Sequence, residues 1–260
     1  MRRYDGEVAV VTGASSGLGR RIATELAGRG ATVVGIARRQ ELLDDLAGEL
    51  RTRTASSRTV VCDVADAGAY QAVLADVERD FGRVDILIAA AGMESETRVP
   101  GATLDEFRKT MDVNFFGVVA GTLAVVPGMV ARGHGVVVNV SSDSARAPSP
   151  GGGAYAASKA ALSAFSEAVA MEVIERGVHV HVLYPGWVPT PMGLAAVERG
   201  MPLPPKPVRR TEEQIAELVL ERMGSDAIEL NASRLPVMAP LARAFFPKAY
   251  RKSVTKNSTP

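Results

Sequence analysis

Tyr155 and Lys159 stand four residues apart in Tyr155-Ala156-Ala157-Ser158-Lys159, and a strand-like run just upstream ends at Ser141-Ser142. On a helix, positions i and i+4 share one face, one turn apart. A lysine ammonium there favours the phenolate, because a nearby positive charge lowers an acid's pKa. A phenol tuned in this way gives or takes a proton at physiological pH. A serine hydroxyl beside it could hold the oxygen being protonated. The expected chemistry is proton transfer at a substrate oxygen. Tyrosine and lysine at this spacing are common on helices, so the pair gains its meaning from its surroundings.

Those surroundings are an alternation of short apolar runs and longer helical segments. Strands are predicted at Glu7–Thr12, Thr32–Ile36, Thr59–Cys62, Val84–Ala89, Gly135–Ser141 and Val178–Leu183. Helices are predicted at Gly17–Gly30, Arg39–Leu50, Asp66–Phe81, Thr103–Ala131 and Ala154–Arg176. Runs such as Val136-Val137-Val138 suit a sheet covered on both faces. The alternation predicts an α/β chain with a parallel, doubly wound sheet and right-handed crossovers. After Tyr184 the pattern weakens. Pro185–Pro207 is rich in proline and glycine, and a helix from Thr211 to Met223 follows, with Thr211 as its N-cap. This stretch, 187–223, is predicted to form a lid over a site.

The first predicted turn, Thr12-Gly13-Ala14-Ser15-Ser16-Gly17-Leu18-Gly19, follows a strand and opens a helix. Gly13 permits a sharp turn, Gly17 a close backbone approach, and Gly19 tight packing of helix on strand. A pyrophosphate would lie on the N–H groups of the helix N-terminus. The second strand ends in Ala37-Arg38-Arg39, where an acidic residue would favour NAD. Two guanidiniums there can pair with a 2′-phosphate instead, with Ser15 or Ser16 adding a hydroxyl, so NADP(H) is expected over NAD(H) and Arg38 is expected to carry most of the preference. Asp63 is expected to reach the adenine amino group, and Val64 to line the ring.

The glycine pattern, Asp63, Asn114, Ser142, Tyr155-x-x-x-Lys159 and Pro185-Gly186-x-x-x-Thr190 occur together in this order. With them the chain resembles the short-chain dehydrogenase/reductase family over almost its whole length. The resemblance implies a single Rossmann-type domain over residues 1–230, a nicotinamide cofactor and reversible carbonyl–alcohol chemistry. By the same resemblance Tyr155 is the general acid/base and Ser142 holds the reacting oxygen. Lys159 lowers the tyrosine pKa and holds the nicotinamide ribose, and Asn114 holds a water near Lys159. Ser141 is expected to support the strand end. Val188 and Thr190, after the Pro185-Gly186 turn, would hold the carboxamide. The family's Asn-Asn-Ala-Gly is here Ala89-Ala90-Ala91-Gly92, which keeps the tight turn beside the cofactor and loses side-chain hydrogen bonds. No Gly-Gly follows the expected last strand near Ala227–Leu230. A homodimer or homotetramer is expected, with its interface left open.

The substrate is expected to be a small ketone or alcohol, lipophilic in character, with Met93, Trp187, Met192, Leu194 and Met201 lining its pocket. Glu94 and Glu96 could meet a polar or cationic group. A competing reading is a non-catalytic, cofactor-binding regulator on the same fold; the intact Asn114–Ser142–Tyr155–Lys159 set favours an enzyme. A nucleotide-sugar epimerase would need a larger C-terminal domain than the chain holds.

Composition narrows the field further. The chain has 260 residues, with 30 Lys+Arg against 29 Asp+Glu, a balance that argues against a general nucleic-acid binder. Its single cysteine, Cys62, is expected to be a buried thiol, and the N-terminus shows no signal peptide, so a cytoplasmic setting is expected. His134, His179 and His181 match no metal-ligand spacing. Val113–Ala131 is uncharged and long enough to span a bilayer. Asn114, its glycines, Pro127 and its place in the alternation make it instead a helix between sheet and neighbouring subunit. The extension 231–260 carries basic residues and no acidic one. Residues 234–256 could touch an anionic membrane. The favoured expectation is that Leu241, Phe245 and Phe246 pack on the enzyme body or a dimer partner.

Overall fold

Val8-Ala9-Val10-Val11-Thr12 is buried at every position, because helices cover both faces of the sheet it belongs to. In the computed structural model, which describes residues 2–95 and 97–256, the described residues form a seven-stranded parallel sheet. Its strands are β1 (Val8–Thr12), β2 (Thr32–Ala37), β3 (Arg58–Val61), β4 (Ile86–Ala89), β5 (Gly135–Val140), β6 (Val178–Tyr184) and β7 (Glu229–Asn231). Their spatial order is β3-β2-β1-β4-β5-β6-β7. The chain winds outward one way from β1 and then returns to wind the other way from β4. The reversal opens a crevice beyond the carboxyl ends of β1 and β4, where Thr12 lies beside Ala89.

Three helices cover one face: α1 (Gly17–Gly28), α2 (Gln40–Arg51) and α8 (Glu212–Arg222). They contribute Ile22, Leu26, Leu43, Leu46, Ile215 and Val219 to one core layer. The other face is covered by α3 (Ala67–Phe81), α5 (Gly117–Arg132) and α6 (Gly153–Val173), through Tyr70, Leu74, Val125, Met129 and Ala170 among others. Between α3 and α5 lies α4 (Leu104–Met111), opened by a Thr103/Glu106 capping box. The expected helix over Thr103–Ala131 is therefore not one regular helix. Asp112–Phe116 forms a π-helical turn between α4 and α5. Within it lies Asn114, whose buried amide is held by Met93 and Ser158 outside the helix. Half of the apolar stretch that could cross a membrane by length and composition is buried here, and Val118, Ala120, Val125 and Met129 belong to the core.

The predicted lid is shorter than 187–223. Helix α7 (Pro191–Glu198) and the loop to Arg210 rise over the crevice, while α8 is part of the core and Tyr4 donates its hydroxyl to Leu220 O at 2.6 Å. The period of Ile215, Ala216, Val219 and Leu220 is that of a helix with one buried face. The C-terminal extension also departs from expectation. It folds as α9 (Ala239–Phe245) and α10 (Pro247–Lys256), and within the single chain Leu241, Phe245 and Phe246 are 50%, 73% and 68% exposed, so the first half of the expectation, packing on the body, fails, while packing on a dimer partner is untouched by it. Cys62 is buried and free.

His181 secures the β6–β7 edge. Its Nδ1 donates to Ala227 O at 2.6 Å, and its Nε2 accepts from Gly224 N at 2.9 Å. Those bonds fit one neutral tautomer, and burial holds the ring's pKa below the ordinary histidine value. The unfolded chain takes up a proton below about pH 6.5, where the folded ring resists it. The stability His181 contributes is therefore complete above that pH and lost as pH falls through it. The stability gap between the protein and its His181→Gln variant should narrow from pH 7.5 to 5.5, by up to about 1.4 kcal/mol per pH unit. Denaturant melts at three pH values measure it, and a gap constant with pH counts against this account.

Candidate active site

The glycine loop closes because three positions lack a Cβ. Gly13 has φ +68°, and a Cβ there would lie 2.8 Å from the backbone of Ala90 and Ala91. A Cβ on Gly19 would lie 2.5 Å from Gly13 O, so α1 can approach the turn only with glycine here. At Gly17, φ +58°, a Cβ would press on Thr190 at 3.2 Å. The N-terminus of α1 thus reaches the crevice with its backbone bare. Ser16, its N-cap residue, makes no capping bond to the helix; its hydroxyl accepts from Arg39 Nη2 at 2.6 Å instead. The first N–H groups of α1 are left for an anion, as a pyrophosphate requires. The residues fit a dinucleotide on these grounds. Gly13, Ser15, Ser16, Gly17 and Leu18 would hold its phosphates.

Arg39 also donates to Ser15 Oγ at 2.8 Å, so one guanidinium and two hydroxyls converge beside the loop. Arg38 points elsewhere, toward Asp63 at 3.4 Å. Asp63 in turn accepts from Ala65 N at 3.1 Å. Val64, Ala90, Ala91, Gly92, Gly186 and Val188 line the same cleft, whose volume is about 730 Å³. Thr12 Oγ1 accepts from Ala91 N at 3.1 Å and ties β1 to the turn after β4 where the family pattern has asparagine. Pro185-Gly186 turns with φ +72° at Gly186, pressed against Val208. Thr190 caps α7 by accepting from Gly193 N at 3.2 Å.

The first turns of α6 carry Tyr155 and Lys159 into the cleft opposite the end of β5. Ser142 follows that strand and caps a short turn by accepting from Ser144 N at 3.1 Å. Ser141 faces the other way, hydrogen-bonded to Ser163 Oγ at 2.8 Å and to Lys159 O at 3.2 Å. Lys159 Nζ donates to Val140 O at 2.7 Å. The Asn114 amide donates to Met93 O at 2.9 Å and Ser158 Oγ at 3.0 Å, while its Oδ1 accepts from Met93 N at 2.8 Å. A methyl-sized space at Gly92 borders both Asn114 Oδ1 and Lys159 Nζ, at 3.4 and 3.6 Å.

The electrostatics correct one expectation. Burial pushes the Tyr155 phenol up to about 12; Ser142, hydrogen-bonded to it, works downward, and the Glu94 and Asp143 carboxylates add to the rise. Lys159 does not lower it here, because its ammonium is turned to Val140 O and lies 5.8 Å from the centre of the tyrosine ring. Burial also brings the Lys159 ammonium down to about 8. The phenol is therefore fully protonated at neutral pH. An alkoxide is a stronger base than phenolate, so a phenol in this state serves as a proton donor.

Trp187, Met192 and Met201 line the cleft as expected residues of the substrate end. Met93 lines a neighbouring depression, and Leu194 points into solvent, 46% exposed. Glu94 is held to Arg199 of the lid at 3.1 Å. Glu96 lies outside the described residues. Sequence reasoning missed Asp143, beside Ser142, where burial raises the carboxyl to about 6 against the pull of Arg146. It also missed Leu235, Pro236 and Ala239 from the C-terminal extension, which close the rim. Asp143 follows a residue already singled out and could have been found; nothing local signals that the extension folds back. The three histidines join no group of metal-binding side chains among the described residues.

A bare helix N-terminus at a sheet reversal, with Tyr, Ser and Lys across the cleft, defines a nicotinamide-dinucleotide oxidoreductase. The sequence pattern of the short chain dehydrogenases matches residues 7–199, and the chain belongs to this short-chain dehydrogenase/reductase family, whose members interconvert carbonyl and hydroxyl groups on small molecules. It is 34% identical to the Bos taurus "Dehydrogenase/reductase SDR family member 7B", over 95% of this chain and 80% of that one. It is 40% identical to the "Glycine betaine reductase ATRR" of Emericella nidulans over 70% of its own length, but spans only 14% of that protein. Among solved structures it resembles a short-chain dehydrogenase from Streptomyces avermitilis, with TM-score 0.81, 29% identity and coverage of 99% and 98% of the two chains. It also resembles a single-site variant of the "Actinorhodin Polyketide Ketoreductase" crystallised with NADPH, with TM-score 0.80, 28% identity and coverage of 87% and 95%.

Proposed function

We propose that this enzyme is an NADP(H)-dependent reductase of a lipophilic ketone, working in reverse as an alcohol dehydrogenase. The observation that carries the reading is the half-buried Tyr155, set beside Ser142 and Lys159 at an apolar end of the cleft. When bound, the dinucleotide supplies or accepts the hydride. The chain does the rest. Ser142 donates a hydrogen bond to the carbonyl oxygen, whose growing charge it stabilises. Tyr155 gives its proton to that oxygen, leaving a phenolate one turn from Lys159. Lys159, charged below about pH 8, can then swing from Val140 O toward the phenolate. Asn114 is a positioning residue: it fixes Met93 and Ser158 and faces Lys159 across Gly92, beside the space in which a relay water would lie.

NADP(H) preference is proposed from the Arg39–Ser15–Ser16 cluster, whose three donors suit a 2′-phosphate, with Arg38 beside it. The lipophilic substrate is proposed from Trp187, Met192 and Met201 and from the exposed apolar rim. The NADPH-bound ketoreductase neighbour and a 36% identical "Fatty acyl-CoA reductase" of Acinetobacter baylyi lean the same way. Self-association is proposed through α5, the π-helical turn before it and α6, which leave Leu123, Phe116 and Met171 exposed. A cytoplasmic setting is proposed, on the single buried thiol of Cys62. NADPH oxidation followed by cofactor fluorescence against a panel of ketones of graded chain length tests the reading. Rates should rise with apolar length. A panel in which only short, charged ketones react would overturn the substrate class.

A further inference from the structure

The C-terminal extension shows its apolar side to solvent. Six of the 16 exposed large apolar side chains among the described residues lie between Leu235 and Phe246. Met238, Leu241 and Phe245 recur at helical spacing on one side of α9 and its entry turn, and are 56%, 50% and 73% exposed. The opposite side is spoken for: Leu235, Pro236 and Ala239 form part of the cleft rim. Helix α10 lies against α9 with Tyr250 and Val254 half-buried. The extension is thus a strap at the mouth of the cleft, with an apolar outer surface, and the lid beside it adds exposed Met192 and Leu194.

Charge identifies what covers that surface. Residues 231–260 hold six basic side chains and no acidic one, which leaves residues 1–230 with 24 basic and 29 acidic, a net of −5. Arg234, Arg243, Lys248, Arg251 and Lys252 are exposed and form no ion pair with a described residue. A second copy docked through the same face would set two such basic patches against each other, as a two-fold interface must. An anionic lipid surface meets both features at once. It accepts the apolar side chains among its acyl chains, pairs the basic ones with headgroups, and repels the acidic body.

We propose that the strap over residues 234–252 docks the enzyme on an anionic membrane with the mouth of the cleft facing the lipid. Substrate entry from the bilayer rests on the lipophilic-ketone reading above; the docking itself does not. Cosedimentation of the full chain with phosphatidylcholine vesicles, with and without phosphatidylserine, tests it. Most of the protein should pellet with the anionic vesicles at low salt, little with the neutral ones, and little at about 0.5 M salt, where surface attraction is screened. The double variants Phe245→Ser/Phe246→Ser and Arg243→Glu/Arg251→Glu should each lower the pelleted fraction at least several-fold while keeping native NADPH binding, which shows that they fold. Full-length protein in the supernatant at low salt overturns the proposal. So does an oligomer that the Phe245→Ser/Phe246→Ser variant splits, which would make the strap a self-interface. Turnover is scored separately: protein that pellets but reduces no lipophilic ketone sinks the substrate reading and keeps the docking.

Discussion

Tyr155→Phe should abolish turnover, by at least ~10²- to 10⁴-fold, while NADPH still binds. The ring is half-buried and the variant keeps it, so packing around α6 is undisturbed. What is lost is the one hydroxyl placed against Ser142 with a proton to give. Ser142 cannot replace it, because a serine hydroxyl is a far weaker acid than a phenol and its oxygen already accepts from Ser144 N. Rate measurements on any accepted ketone, paired with a fluorescence titration of NADPH, separate loss of chemistry from loss of binding. Near-normal activity in this variant would remove Tyr155 from the mechanism. Loss of binding along with activity would make it a structural residue.

Arg39→Leu should lower kcat/KM with NADPH by roughly 10- to 100-fold and leave NADH nearly unchanged, the loss expected when a charge-assisted contact worth about 1.5–3 kcal/mol disappears. From sequence, Arg38 is expected to carry most of the preference; we expect the larger effect at Arg39. Asp63 lies 3.4 Å from the Arg38 guanidinium and offsets part of its charge. Among the described residues Arg39 is held by the neutral hydroxyls of Ser15 and Ser16 and by no carboxylate. Arg38→Asp, which adds a repelling carboxylate, should also move preference toward NADH, and by less per charge if Asp63 already dilutes the site. Equal use of both cofactors by the unaltered protein would refute the NADP(H) assignment.

Much of the site is legible in the sequence because its logic is local. Gly13, Gly17 and Gly19 are read from a turn that spans eight residues, and Tyr155 and Lys159 from one helical turn. The buried strands are equally plain in runs such as Val8–Thr12. What the sequence hides depends on partners far along the chain. Spacing places Lys159 beside Tyr155 but does not say where its ammonium points, and Val140, 19 residues away, claims it. The rise of the Tyr155 pKa comes from burial, which only the assembled cleft supplies. Helix α8 is a different kind of miss. Its apolar period is visible in the sequence, yet proximity to a proline-rich loop suggests a lid. The tail is expected to pack on the body or on a dimer partner; Phe245 and Phe246 stay off the body, and a partner surface is not something local sequence spells out.

The wide turn at Asp112–Phe116 behaves like a dislocation in a crystal. A hydrogen-bond ladder with one residue too many could relax by sliding the fault to a free end and letting it vanish there. This helix has no free end. The Thr103/Glu106 capping box fixes its start. At its finish Gly133 takes the left-handed cap, with Arg132 fastened to Val84 O at 2.7 Å. In between, the Asn114 amide is moored to Met93 and Ser158. The fault is trapped in place, and the Asn114 amide within it is held fast. Pinning at three points turns what would be a mobile defect into a permanent fixture of the lattice.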